Sequence, residues 1–223
     1  RNLIMPDVIN TLVINERRYM GRSEERAYTS NITDVVVGPR TTDLHFNYEM
    51  PSQRSLGKVR IWEGLTVNLS EEPVYEAPLD DTKGFVEVFT KGLNFTQGAY
   101  VVTISADEDI HSIVATETLL NGQPRIRGDS FIAVTAKTSN SISTVYSNPP
   151  NLTAYKEADW GVIYAGSELG KGAPLAKMAA PLDDTSGIIT INFPRGTLKS
   201  GNTYNVCLSV GARLSTISAA YIF

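Results

Sequence analysis

Ala77-Pro-Leu-Asp-Asp-Thr82 recurs as Ala180-Pro-Leu-Asp-Asp-Thr185, and the residues downstream run in parallel. After the first copy come Gly84-Phe-Val-Glu-Val and Gly98-Ala-Tyr-Val-Val-Thr-Ile-Ser; after the second come Gly187-Ile-Ile-Thr-Ile and Gly201-Asn-Thr-Tyr-Asn-Val-Cys-Leu-Ser. The copies lie 103 residues apart at the Asp-Asp pairs and 104 apart at Tyr100 and Tyr204. A period this long is that of a whole domain, well above the ~20 to 50 residues of solenoid units. The 223 residues hold two such domains and an N-terminal remainder.

Short alternating runs rich in Val, Ile, Thr and aromatics, separated by Gly, Pro, Asn and Asp, recur along both copies, which predicts an all-β sandwich for each. In the first copy the runs are 34–37, 43–48, 58–63, 74–76, 85–90, 100–106 and 112–119; in the second they are 131–137, 143–146, 152–155, 162–165, 175–178, 188–193, 204–210 and 216–222. Because strand side chains alternate faces, Val86, Val88, Tyr100, Val102 and Ile104 should enter one core, and Ile189, Ile191, Tyr204, Val206 and Leu208 the other. Val101, Thr103, Asn205 and Cys207 then belong to the outward faces. Trp62 is answered by Tyr164.

The stretch Gly196-Thr-Leu-Lys-Ser-Gly-Asn-Thr-Tyr-Asn-Val-Cys-Leu-Ser, with Gly92-Leu-Asn-Phe-Thr-Gln-Gly-Ala-Tyr-Val-Val-Thr-Ile-Ser in the first copy, resembles the late-strand pattern of fibronectin type III and related immunoglobulin-like domains. The resemblance spans about 34–223 as two units, and neither copy has the Cys…Trp…Cys set of antibody domains. It implies a tyrosine corner at Tyr100 and Tyr204, each hydroxyl bonding back to nearby backbone. The expected architecture is all-β: an extended arm over 1–33, a first immunoglobulin/fibronectin type III-like sandwich over 34–120, a linker over 121–129, and a second sandwich over 130–223.

The arm has no counterpart in the repeat. Its apolar run Val8-Ile9-Asn10-Thr11-Leu12-Val13-Ile14 precedes Arg17, Arg18, Tyr19 and Arg22, interspersed with Glu16, Glu24 and Glu25. Mixed charge beside apolar side chains suits docking against protein, either the chain's own first sandwich or a neighbouring subunit.

Composition narrows the chemistry. The formal net charge is −4, so no overall basic field gathers phosphates and no nucleic-acid partner is expected. No apolar run is long enough to span a membrane as a helix. Cys207 is the only cysteine, which excludes an intrachain disulfide and a cysteine-based zinc cluster, and two histidines make no multi-histidine centre. Neither a Gly-x-Ser-x-Gly elbow nor a phosphate-cradling glycine loop occurs, so a non-catalytic protein without cofactor is expected.

The Asp80-Asp81 and Asp183-Asp184 pairs could offer oxygens to calcium, but Pro-Leu-Asp-Asp-Thr-x-Gly is first a turn: Pro starts it, Asp and Thr bond local backbone, and Gly tolerates positive φ. Arg127-Gly128-Asp129 reads as an integrin-type tripeptide or as a hinge turn. Sequons at Asn31, Asn68, Asn94 and Asn151 do not exceed what an Asn-, Ser- and Thr-rich chain produces by chance. The expected role is structural and adhesive: a phage virion component, capsid-decorating, neck or tail-associated, contacting other subunits through the arm. The alternative is a secreted bacterial cell-surface adhesin or carbohydrate-binding module that meets a host surface or glycan.

Overall fold

The computed structural model describes residues 25–51, 56–152, 159–211 and 213–223. Among these every regular element is a strand, and the strands form two sandwiches of the same plan. In the first, a three-stranded sheet of β2 (Asn31–Val37), β3 (Asp43–Glu49) and β6 (Lys83–Phe89) faces a five-stranded sheet. That sheet runs β5 (Tyr75–Pro78), β4 (Lys58–Glu63), β7 (Ala99–Ser105), β8 (Ile113–Leu120) and β9 (Gln123–Gly128). In the second, β10 (Phe131–Lys137), β11 (Ser141–Ser147) and β14 (Ser186–Asn192) face β13 (Ala176–Lys177), β12 (Trp160–Ala165), β15 (Tyr204–Ser209), β16 (Ile217–Ile222) and β1 (Arg26–Tyr28). All pairings between named strands are antiparallel.

The inward side chains are those that alternation assigns. Phe46, Ile61, Val88, Val102 and Ile104 close the first core, with Val86 partly buried against it, while Ile163, Ile189, Ile191, Val206 and Leu208 close the second. The other face of each five-stranded sheet departs from expectation. Val101, Thr103, Asn205 and Cys207 are fully buried. In the first sandwich the β4–β5 connection lays Val67 and Leu69 over Trp62, Val101 and Ile113. In the second, Leu169 from the β12–β13 connection, Tyr28 and Leu214 cover Val162, Tyr164 and Cys207. The long connections thus act as a third layer, and strand periodicity contains no signal for what a loop will cover.

Two boundaries also move. Residues 123–128, expected as linker, are strand β9, because Asn121 (φ 50) and Gly122 (φ 79) make the tight turn that folds β9 back on β8. Residues 26–28 and 31–33, expected in the arm, are strand as well; Asp34 at φ 54 sits in the bulge between Thr33 and Val36, and this interruption hides the first half of β2 from an alternation pattern. The expected strand over 152–155 is represented by Leu152 in a single bridge to Val67, and 153–155 lie outside the described residues.

Each leading strand crosses over. β9 precedes β10 of the second sandwich but pairs with β8, the last strand of the first. Likewise β1 precedes β2 of the first sandwich but pairs with β16, the last strand of the second: Arg26 opposite Ile222, Ala27 opposite Tyr221, Tyr28 opposite Ala220. Between the exchanged strands, Ser30 and Ser130 donate backbone N–H groups to each other's carbonyls at 3.1 and 3.0 Å. Their hydroxyls reach the equivalent final strands, Ser30 Oγ to Ser218 O and Ser130 Oγ to Val114 O, each at 2.5 Å. The repeats are therefore related by a local pseudo-twofold axis through these two buried serines. Thr116 Oγ1 donates to Asn151 Oδ1 at 2.5 Å, Asn151 Nδ2 donates to Thr118 Oγ1 at 2.7 Å, and Thr216 Oγ1 donates to Asp107 Oδ2 at 3.1 Å, so the junction is hydrogen-bonded as well as packed.

Candidate functional site

The outer face of β2–β3–β6 carries the most exposed large apolar side chains of the first sandwich. On β6, Val86 and Val88 point to the core, so Phe85, Glu87 and Phe89 point out. Phe85 and Phe89 remain 59% and 62% exposed, and Val36 on β2 is 57% exposed. His45 joins them across the sheet. It stands opposite Glu87, its ring stacks on Phe85 at 5.9 Å between centroids with a 9° tilt, and it meets Phe89 edge-on at 6.4 Å. Its Nε2 hydrogen-bonds the Gly38 carbonyl, which fixes the ring in this plane, and Nδ1 lies 3.7 Å from Glu87 Oε1. The three rings form an aromatic platform, Phe85 parallel to His45 and Phe89 turned edge-on to it, bordered by Asp34, whose carboxylate accepts from Asn47 at 2.9 Å.

The second sandwich does not reproduce this platform. Its β11–β14 register puts Ile188, Thr190 and Asn192 where Phe85, Glu87 and Phe89 stand, and Ser143 where His45 stands. Ile188 is 73% exposed and stands opposite Val145. The repeat alone could have located this difference: Gly84-Phe-Val-Glu-Val aligns with Gly187-Ile-Ile-Thr-Ile, and the outward positions are those where the copies diverge.

Of the expected site residues, Val8, Ile9, Leu12, Val13, Ile14, Arg17, Arg18, Tyr19 and Arg22 lie outside the described residues. Asp80-Asp81 and Asp183-Asp184 occupy the β5–β6 and β13–β14 connections, one pair per sandwich. In each, the second aspartate bonds the next residue's amide, Asp81 Oδ1 from Thr82 N at 2.6 Å and Asp184 Oδ1 from Thr185 N at 2.7 Å. A tyrosine pegs each turn: Tyr48 OH donates to Asp81 O at 2.9 Å and Tyr146 OH to Asp184 O at 3.0 Å. The same rings lie over Gly84 and Gly187, their register partners, where an added Cβ would sit 3.3 and 3.6 Å from Cε1. The repeated string is thus a turn whose leucines, Leu79 and Leu182, are buried anchors and whose glycines leave room for a tyrosine. Among the described residues no group of three or more His, Cys, Asp or Glu could hold a metal ion.

Tyr204 OH accepts from Lys199 N at 2.7 Å, five residues upstream. At Tyr100 the geometry differs: Phe95 N donates to Thr41 O at 2.8 Å, and the Phe95 ring packs edge-on to Tyr100 at 5.1 Å. Arg127 and Gly128 end β9, and Arg127 Nε bonds Asp129 Oδ1 at 2.8 Å; the tripeptide's charged ends hold each other, and its glycine is buried under Pro149. Cys207 is sealed in its cluster, and burial pushes its thiol up to about 12.

No protein-family model and no curated protein matches the chain. Solved structures similar to it include one described as "Biofilm associated protein - BSP domain", at 11% identity over 81% of this chain and 27% of that chain, with a TM-score of 0.26. The chain spans about a quarter of that structure's length.

Proposed function

We propose that this chain is a non-catalytic structural and interaction module in which two strand-exchanged sandwiches act as one body and the outer face of β2–β3–β6 docks another protein. The Phe85–His45–Phe89 platform carries the reading. Two phenyl rings left ~60% exposed give up roughly 240 Å² of apolar surface on docking, a gross gain of about 6 kcal/mol before the costs of association. Aromatic side chains are enriched among the anchors of protein interfaces, and Phe85 and Phe89 with Val36 put exposed apolar surface on this face. A phage virion is the first setting for such a module, because segment 8–22 combines apolar and arginine side chains suited to subunit contact. A bacterial cell-surface adhesin is the second, with the same platform meeting a partner outside the cell.

The test is affinity purification of the tagged chain from its native source with cross-linking, in parallel with the F85S/F89S double variant. The reading expects a defined partner cross-linked to β6 and lost from the variant, whose melting temperature stays within a few degrees of the parent because both rings are exposed. Cross-links that avoid β6, or a partner retained by the variant, would refute the platform. The partner's identity, capsid or tail subunit against cell-envelope component, decides the setting.

A further inference from the structure

A strand at the edge of a sheet leaves a row of backbone N–H and C=O groups without a ladder partner, and proteins blunt such edges with bulges, proline, charge or brevity. Among the described residues the four sheets have eight edge strands, and seven of them carry one of these devices. β2 and β10 are each broken by a bulge. β9 holds Pro124, Arg125 and Arg127, and β5 holds Glu76 and ends at Pro78. β1 and β13 are only three and two residues long. β6 is regular but places Lys83 and Glu87 on its outer face. The eighth, β14, has none of these. Its seven residues, Ser186-Gly-Ile-Ile-Thr-Ile-Asn192, pair with β11 without a register shift, include four consecutive β-branched side chains, and lie in an uncharged run from Thr185 to Pro194.

The ladder to β11 fixes which backbone groups are left over. Phe193 N donates to Asn140 O at 2.9 Å and Asn148 N donates to Thr185 O at 2.7 Å, so the odd-numbered residues of β14 turn their backbone toward β11. Ser186, Ile188, Thr190 and Asn192 therefore turn N–H and C=O to the other side, where no described strand stands. We propose that β14 is the interface of a twofold dimer, pairing antiparallel with β14 of a second copy of this chain and joining two three-stranded sheets into one. A twofold axis at Ile189 sets Ser186 opposite Asn192 of the second copy, and Ile188 opposite its Thr190. Each of these positions offers one donor and one acceptor, so this register closes eight interstrand hydrogen bonds and leaves no outward group of β14 unmatched. Registers centred on Ile188 or Thr190 close six. The strand is thus its own complement: Ile188, 73% exposed, meets a β-branched threonine, and no two charges are brought together. The same operation on β6 lays Lys83 against Phe89 and Glu87 against Phe85, which takes two charges from water for no ionic partner.

Sedimentation velocity on the full-length chain, from about 5 µM to about 0.5 mM, reads the association directly, because the dimer fills by mass action. Expected is a concentration-dependent shift from one copy to two. In the I188K/T190K variant two lysine pairs face each other across the axis, and self-association should weaken about a hundred-fold. I188E/T190E should weaken likewise, and an equimolar mixture of the two variants should recover the dimer, since each lysine then meets a glutamate. Both substituted side chains are exposed, so each variant should melt within a few degrees of the parent. A parent chain that stays monomeric at the highest concentration, a dimer that the lysine variant keeps, or a mixture that stays monomeric would overturn the inference. F85S/F89S should dimerise as the parent does, so loss of the platform's partner and loss of the dimer are read separately.

Discussion

Replacing Asp159 by Asn should stabilise the protein at neutral and alkaline pH and do little in mild acid. Asp159 immediately precedes β12; its side chain is buried, accepting from Asn148 Nδ2 at 3.2 Å and from the Gly211 amide. Asn148 Oδ1 in turn accepts from the Ser130 hydroxyl at 3.3 Å, which ties the carboxyl to the pseudo-twofold axis. Burial is the larger influence and pushes the carboxyl from its ordinary 3.8 to about 7; the Gly211 hydrogen bond only partly offsets it. The direction is opposite to that of a salt-bridged aspartate. Below pH ~4 both folded and unfolded chains hold the proton and there is no penalty. Between about 4 and 7 only the folded chain holds it, so stability falls as pH rises, by about 1.4 kcal/mol per pH unit, and levels off above 7. The full gap is worth about 4 kcal/mol.

An asparagine is uncharged throughout and escapes that penalty, but its amide cannot accept from both donors, which returns about 1 to 2 kcal/mol. The D159N variant should therefore be about 2 to 3 kcal/mol more stable than the parent at pH 8 and within about 1 kcal/mol of it at pH 4.5. Urea unfolding of both proteins at pH 4.5, 6 and 8 reads this directly as a difference in midpoint at constant slope. A stability difference that does not change between pH 4.5 and 8 would show that Asp159 is ionised in the folded chain, and the burial argument would be wrong.

Other substitutions separate the remaining elements. Tyr48→Phe and Tyr146→Phe each remove one hydroxyl-to-turn hydrogen bond and should each cost about 1 kcal/mol, adding in the double variant because the turns belong to different sandwiches; marked non-additivity in chemical denaturation would contradict independent turns. Gly84→Ala should cost more than Gly187→Ala, since the ring stands 3.3 Å from the new Cβ in one and 3.6 Å in the other; equal costs would mean that the ring yields freely. Arg60 is buried with Nε on Glu76 at 2.6 Å, Nη1 on Ser105 at 2.9 Å and Nη2 on the Glu108 carbonyl at 2.7 Å. Arg60→Met removes all three hydrogen bonds and leaves the buried Ser105 hydroxyl without this donor, while Glu76 keeps Lys58, with an expected loss of about 3 kcal/mol; hydrogen bonds from Lys58 and Arg60 hold Glu76 below its usual range, and without Arg60 its titration, followed by NMR, should move upward. Cys207 should resist a thiol reagent at pH 8 in the folded chain and react within minutes in 8 M urea; fast native labelling would show that the layer over β15 opens readily.

What the sequence disclosed follows from what a duplicated string can encode. Each copy carries its own alternation, so the inward residues of β6, β7, β14 and β15 were legible, and the alignment matched Trp62 to Tyr164 and Thr103 to Cys207. Alternation specifies a face and not the neighbour beyond it, which is why the loop layer over Thr103 and Cys207 was invisible: Leu69 and Leu169 look like any loop leucines until the connection folds back. Asn121-Gly122 is a hairpin-turn dipeptide, a signal that the assignment of 121–129 to a linker between the two domains passes over. The crossed leading strands are a different matter. β1 has three residues, too few to show any period, and its partner β16 begins at Ile217, so neither local pattern nor proximity points to the pairing. Only the repeat could have suggested it: Ser30 precedes β2 as Ser130 precedes β10, and a rule that places β9 on the last strand of the other sandwich places β1 there too. The functional differences follow the same logic in reverse. Where the copies agree, at the pegged turn, the residues serve the fold; where they diverge on the outer face of the three-stranded sheet, Phe85 and Phe89 against Ile188 and Asn192, side-chain chemistry is free of the constraint that the core and the turn impose.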